Sequence, residues 1–260
     1  MTMRPPRIRR SRSGELEVER FSRARRVEHT IAIAIFTVLI GTGFPQKFDQ
    51  SAAGQWLLGA MGGLDSARMI HRIAGVVFAF HAGIHLLAFF VGLLLGKMRL
   101  TLLPLPQDAR DAWDNLRFYF GYRDRAPELP KYDYRQKFEY IGLIMGGLVM
   151  ITSGLILMLP VLVARWLPGE LIPAARVVHS NEAMLAFLVL IIWHIYATVL
   201  SPDVFPLDRS MFTGYMGAHE LKEHHALEYK RVFPDGEAAA EAALSAVERS
   251  DDGASAPPRG

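Results

Sequence analysis

The chain has 260 residues, 51% of them hydrophobic and only 21% charged, with 29 Lys and Arg against 26 Asp and Glu, nine His and no Cys. Apolar runs recurring through most of the first part of the chain exclude an ordinary water-soluble domain and mark an integral membrane protein. Without Cys there is no disulfide, thiolate zinc site, cysteine-held iron–sulfur cluster or C-x-x-C-H haem attachment, so metal chemistry falls to His and carboxylates; the net charge of +3 gives no sign of a nucleic-acid partner.

In chain order, residues 1–20 read as a disordered basic tail. Four stretches then reach the roughly 20 apolar residues that a helix needs to cross a bilayer: about Val27 to Pro45, Met69 to Leu95, Tyr140 to Leu162 and Val177 to Leu200. Gly41-Thr42-Gly43 with Pro45, Gly96 and Pro160 read as the ends of the first three. The N-terminal tail is rich in Arg, from Arg4 to Arg26. The connection between spans two and three, from Lys97 and Arg99 to Lys137, is similarly basic, whereas the other two connections carry only Lys47, Arg68, Arg165 and Arg176. Basic loops stay on the cytoplasmic side. The expected fold is therefore all-α, a four-helix transmembrane bundle over residues 21–229 with both termini cytoplasmic. Residues 230–260 read as a short helix and a disordered tail, and the His219, Glu220, Glu223, His224, His225 cluster before them as a solvated segment.

Six of the nine His lie in or beside the spans: His29, His71, His81, His85, His179 and His194. An ionisable group in hydrocarbon needs a partner, which makes each a functional candidate. His71 and His85 are fourteen residues apart, about 40° short of four turns and roughly 21 Å apart along a helix; His179 and His194 are fifteen apart, about 60° past four turns and roughly 22 Å apart. Spans two and four thus each offer one imidazole near the outer surface and one deeper. That spacing suits two metal centres stacked across the membrane, each between two neutral imidazoles as in bis-histidine haem. Gly75, Gly83, Gly142, Gly146 and Gly147 leave room for a flat macrocycle, although Gly142-x-x-x-Gly146 taken alone reads as close helix packing. Glu182 reads as a helix-start charge favoured by the dipole or, second, as a proton-handling group beside the outer metal centre.

From about Arg20 to Tyr229 the chain resembles the four-helix cytochrome b subunits of bacterial formate dehydrogenases and nickel–iron hydrogenases and related small b-type cytochromes. The resemblance is carried by Phe21-Ser22-Arg23-Ala24-Arg25-Arg26-Val27-Glu28-His29, His71-Arg72-Ile73-Ala74-Gly75, Lys131-Tyr132-Asp133-Tyr134-Arg135-Gln136-Lys137, His179-Ser180-Asn181-Glu182-Ala183, Trp193-His194-Ile195-Tyr196 and Ser201-Pro202-Asp203-Val204-Phe205-Pro206. It implies two b-type haems, an outer one on His71 and His179 and an inner one on His29 and His194. It also implies electron transfer between membrane quinone and an extracytoplasmic partner, an iron–sulfur or c-type haem subunit, in the bacterial inner membrane. Asp133 and Arg135 stand where the formate dehydrogenase subunits carry Asn and Gly. His85, absent from those subunits, lies deep enough to be the alternative inner ligand or to hold a third haem. The family's quinone lies near its inner haem, and here the polar residues gathered at the inner ends of spans one and three are Glu28, Asp133, Gln136 and Glu139. Two other readings remain: a stand-alone haem oxidoreductase acting on superoxide or ferric iron, and a metal-ion carrier using the histidine ladder.

Overall fold

The computed structural model describes residues 6–96, 101–202, 204–242 and 244–245. Arg4, Lys97, Arg99, Asp203 and the tail from residue 246, all used above, lie outside the described residues. Two strands, β1 (Ile8–Arg10) and β2 (Leu16–Glu19), precede α1 (Arg23–Lys47). Then come α2 (Ala52–Ala60), α3 (Leu64–Leu94), α4 (Pro106–Tyr119), α5 (Tyr134–Met158), α6 (Pro160–Ala164) and α7 (Leu171–Leu188). The last of these runs on through Val189–Leu200 as a π-helix, and α8 (Ser210–Thr213), β3 (Tyr215–Gly217), α9 (Ala218–His224) and α10 (Ala226–Val232) follow. The chain divides into two compact units: residues 27–98 with 140–208, and residues 1–26, 99–139 and 209–260.

The first unit holds the long helices. α1, α3, α5 and α7 with its π extension are each long and apolar enough to cross a membrane. Within the most apolar stretch of α3 no residue is buried, and in α1 only 11% are. Helices of this hydropathy bury their side chains in a water-soluble fold; here Ile73, Phe80, Ile84 and Leu87 point outward, as lipid-facing residues do. Ring contacts hold α1 to its neighbours: Phe36 meets Phe78 of α3 at 5.5 Å and Phe44 meets Phe187 of α7 at 4.6 Å.

The helices outrun the apolar windows at their polar ends, because backbone hydrogen bonding continues past the last apolar residue. Gly41-Thr42-Gly43 does not end α1, which passes through buried Pro45 to Lys47. The proline deprives only the Gly41 carbonyl, four residues back, of its helical donor, and the Gln46 side chain donates to Thr42 O at 2.8 Å. In the π segment each turn takes in an extra residue. His194 is therefore less far below His179, and differently rotated, than a straight α-helix makes it.

The second unit is mixed. β1, β2 and β3 form one antiparallel sheet in that order, with Ile8 opposite Val18 and Val18 opposite Met216. In Leu16-Glu17-Val18-Glu19 the apolar residues alternate inward, so Leu16 and Val18 join Met216, Ala218, Leu221 and Phe233 in a small core. Residues 8–10 and 16–19, expected as part of a disordered tail, are thus strands of this sheet. Part of the C-terminal region is ordered as well: Ala240 and Leu244 pack on this core and Glu241 pairs with Arg10 at 2.6 Å. His225, read above as part of a solvated segment, is buried and its Nδ1 donates to Pro130 O at 2.8 Å; burial pushes its pKa down to about 4.

Candidate functional site

Four of the membrane histidines form two facing pairs, one partner of each on the π-extended α7. The rings of His71 and His179 have centroids 6.3 Å apart, and those of His29 and His194 6.2 Å apart. Two imidazoles trans on one metal, with about 2 Å per metal–nitrogen bond, place their ring centres roughly 6 Å apart. Both separations match that arrangement. Among the described residues no group of three or more His, Asp or Glu gathers as a metal cage; two facing imidazoles are a donor set that could hold a bis-histidine haem.

The outer pair is oriented by two hydroxyls. Thr42 Oγ1 lies 2.8 Å from His71 Nδ1 and donates its own proton to Val38 O at 2.7 Å. Ser153 Oγ lies 3.0 Å from His179 Nδ1 and donates to Val149 O at 2.6 Å. A hydroxyl has one proton, and in each case the carbonyl one turn back takes it. Each oxygen therefore accepts from the imidazole, which puts the ring proton on Nδ1 and leaves Nε2 of the neutral ring as the lone-pair nitrogen. Beside each hydroxyl stands a glycine the ring needs. A Cβ at Gly43 would come within 3.1 Å of His71 Cε1, and one at Gly154 within 3.2 Å of His179 Cε1. In the sequence Thr42 and Gly43 read only as a helix end, and Ser153 and Gly154 carry no mark of a site. The signal that could have found them is the repeated hydroxyl–glycine dipeptide, Thr42-Gly43 and Ser153-Gly154, on the two helices that carry no outer histidine.

His85 is engaged differently. Its Nδ1 meets a Glu28 carboxylate oxygen, and its Nε2 lies 3.0 Å from the Tyr140 hydroxyl. With both ring nitrogens occupied, His85 has no lone pair to give a metal in this arrangement. Tyr140 was also unforeseen; it begins the apolar run of α5 and drew no notice as a polar group.

Asp133 and Gln136 cap α5. Gln136 N donates to Asp133 Oδ1 at 3.0 Å and Asp133 N donates to Gln136 Oε1 at 3.3 Å, a reciprocal box at the helix start. The other Asp133 oxygen accepts from Arg135 at 2.7 Å. These two belong to the mixed unit, as does Glu139, whereas Glu28 belongs to the helical unit with the histidines.

The glycines divide. A Cβ at Gly75, Gly83 or Gly142 would meet no atom within 4 Å, so Gly142 does not serve close helix packing. A Cβ at Gly146 would stand 2.6 Å from Glu182 Oε1, so that glycine makes room for a carboxylate. α7 begins at Leu171, which places Glu182 about three turns inside it and corrects the reading of Glu182 as a helix-start charge.

The family model described as prokaryotic cytochrome b561 matches residues 20–214, three quarters of the chain and all four long helices. No curated protein matches the chain.

Proposed function

Because the chain belongs to the prokaryotic cytochrome b561 family, whose members bind b-type haem in the membrane, we propose that it passes electrons between an extracytoplasmic redox partner and membrane quinone by way of two b-type haems. The observation that carries this reading is the outer pair, whose rings stand 6.3 Å apart with both Nε2 lone pairs assigned by the hydroxyls of Thr42 and Ser153. His71 and His179 would hold the outer haem, His29 and His194 the inner one. Bound there, haem supplies a one-electron ferric–ferrous couple.

The chain's residues would then do three things. The two histidine pairs would each hold a haem between two imidazoles, a donor set suited to electron transfer rather than to a stand-alone reaction of a small substrate at iron. Thr42 and Ser153 hold the outer imidazoles in the ligating tautomer, with Gly43 and Gly154 giving the rings room. The apolar helices keep water from the pairs. Of the quinone residues, Glu28, next in sequence to His29, and Glu139 stay in the proposal, Glu28 through its contact with His85; Asp133 and Gln136 are occupied as a helix cap. The basic segments support an orientation with both termini in the cytoplasm, and the prokaryotic family with its four apolar helices supports the bacterial inner membrane as the location.

The test is haem content and low-temperature spectra of purified variants. His71→Ala and His179→Ala should each lose one haem and keep the other. His29→Ala should lose the second, while His85→Ala keeps both. Full haem content in both outer variants would overturn the outer pair, and loss of the inner haem only in His85→Ala would overturn the inner one.

A further inference from the structure

We propose that α4 lies flat in the cytoplasmic headgroup layer of the membrane, with one apolar stripe in the acyl boundary and its arginines on lipid phosphates. The helix is amphipathic in the inverse of the sense a water-soluble fold requires. Its buried face is polar: Asp108 is 7% exposed, Asp111 7% and Asn115 4%. Its outward face is apolar: Trp113 is 62% exposed, Leu116 44% and Phe120 69%. At about 100° per residue, Trp113, Leu116 and Phe120 share one narrow stripe, Asp108, Asp111 and Asn115 occupy the opposite side, and Arg110 and Arg117 run along one flank of the stripe. Large aromatic and aliphatic side chains flanked by arginine are what an interfacial helix presents to the boundary between headgroups and acyl chains.

The buried polar face says where this helix is fastened. Lys137 Nζ donates to both oxygens of Asp108, at 2.7 and 2.9 Å, and Asn115 Nδ2 donates to the Tyr134 hydroxyl at 3.1 Å. Tyr134 and Lys137 are in the first turn of α5, which runs without a break into a membrane-spanning stretch. α4 is therefore pinned to the start of a helix that goes on into hydrocarbon, and its apolar stripe is exposed among the described residues. An apolar stripe on a helix fastened there faces the level of the acyl boundary, and the arginine flank complements anionic headgroups. The inference is independent of the haem ligands.

The absence of native Cys allows a direct test in the full-length, haem-loaded protein in nanodiscs of phosphatidylglycerol and phosphatidylcholine. Nitroxide labels on Leu116→Cys, Phe120→Cys and the loop control Asp124→Cys are read for collision with oxygen, which concentrates in lipid, and with a water-soluble nickel chelate. Oxygen should dominate at positions 116 and 120, and nickel at 124. In parallel, the difference between the native protein and Trp113→Phe isolates the Trp113 fluorescence, which brominated lipid should quench more than aqueous iodide does. Dominance of nickel and iodide at the stripe would overturn the proposal, and so would protection from both collision partners, which would mean a protein partner covers it. The unaltered haem spectrum of each variant separates these outcomes from misfolding, and the Trp113 comparison needs no cysteine variant.

Discussion

A histidine in hydrocarbon needs something to hold its second nitrogen, and here the same small device does so twice. Thr42 and Ser153 each sit one residue before a glycine, give their proton to a carbonyl of their own helix and accept from the imidazole Nδ1 of a neighbouring helix. An Nδ1–H that donates to an oxygen makes Nε2 a stronger donor to metal, which favours the ferric over the ferrous state. Thr42→Val keeps the shape and removes the acceptor. It should raise the midpoint potential of the outer haem, with about a tenfold loss of ferric relative to ferrous affinity, equivalent to roughly 59 mV for one electron. Thr42→Ser should restore the native value. A redox titration monitored at the haem bands measures this, and identical potentials in native and Thr42→Val protein would remove the role assigned to the hydroxyl.

Among the elements, the start of α5 depends on two kinds of polar contact. The Asp133–Gln136 box satisfies the first backbone donors, and the ion pair of Lys137 with Asp108 fastens α4 beside it. The side chains of that pair are 6% and 9% exposed, so water screens them little. Breaking one side of a buried pair strands a charge, at a cost of about 3–5 kcal/mol, whereas neutralising both sides is far milder. Lys137→Met should therefore lower stability strongly. Asp108→Asn combined with Lys137→Met should recover most of the loss, since the amide oxygen can still accept from Leu105 N, as the carboxylate does now at 2.6 Å. Denaturant unfolding followed by Trp113 fluorescence gives both values, and equal losses in the single and double variants would show that the pair is not what holds α4.

For the molecule as a whole, the distribution of charge sets the orientation. Arginines crowd the N-terminal region and the segment around α4, while the connections around α2 and α6 carry few cations. Single cysteines can read this without background, because the chain has none of its own. In right-side-out spheroplasts a membrane-impermeant maleimide should label Gln50→Cys at once and Ser13→Cys only after lysis. The reverse pattern would place the Arg-rich ends outside and exchange the outer and inner histidine pairs.

The sequence alone determined the number of long apolar helices, the charge asymmetry from which sidedness is predicted and the candidate set of intramembrane histidines, because hydrocarbon thickness, loop charge and the expense of a buried imidazole act on one segment at a time. The resemblance implies pairing of His71 with His179 and of His29 with His194, and the structure sets those rings 6.3 and 6.2 Å apart. Only the tertiary structure decided what those histidines lean on. Thr42, Gly43, Ser153 and Gly154 matter because their helices lie against α3 and α7, and within its own segment each reads as a break or an ordinary small residue. The same holds for His85, whose two nitrogens are taken by Glu28 and Tyr140 from other helices. The sheet is the extreme case. β2 is four residues long and pairs with β3 some two hundred residues later, and an alternation that short does not mark a strand until the chain brings its partner back.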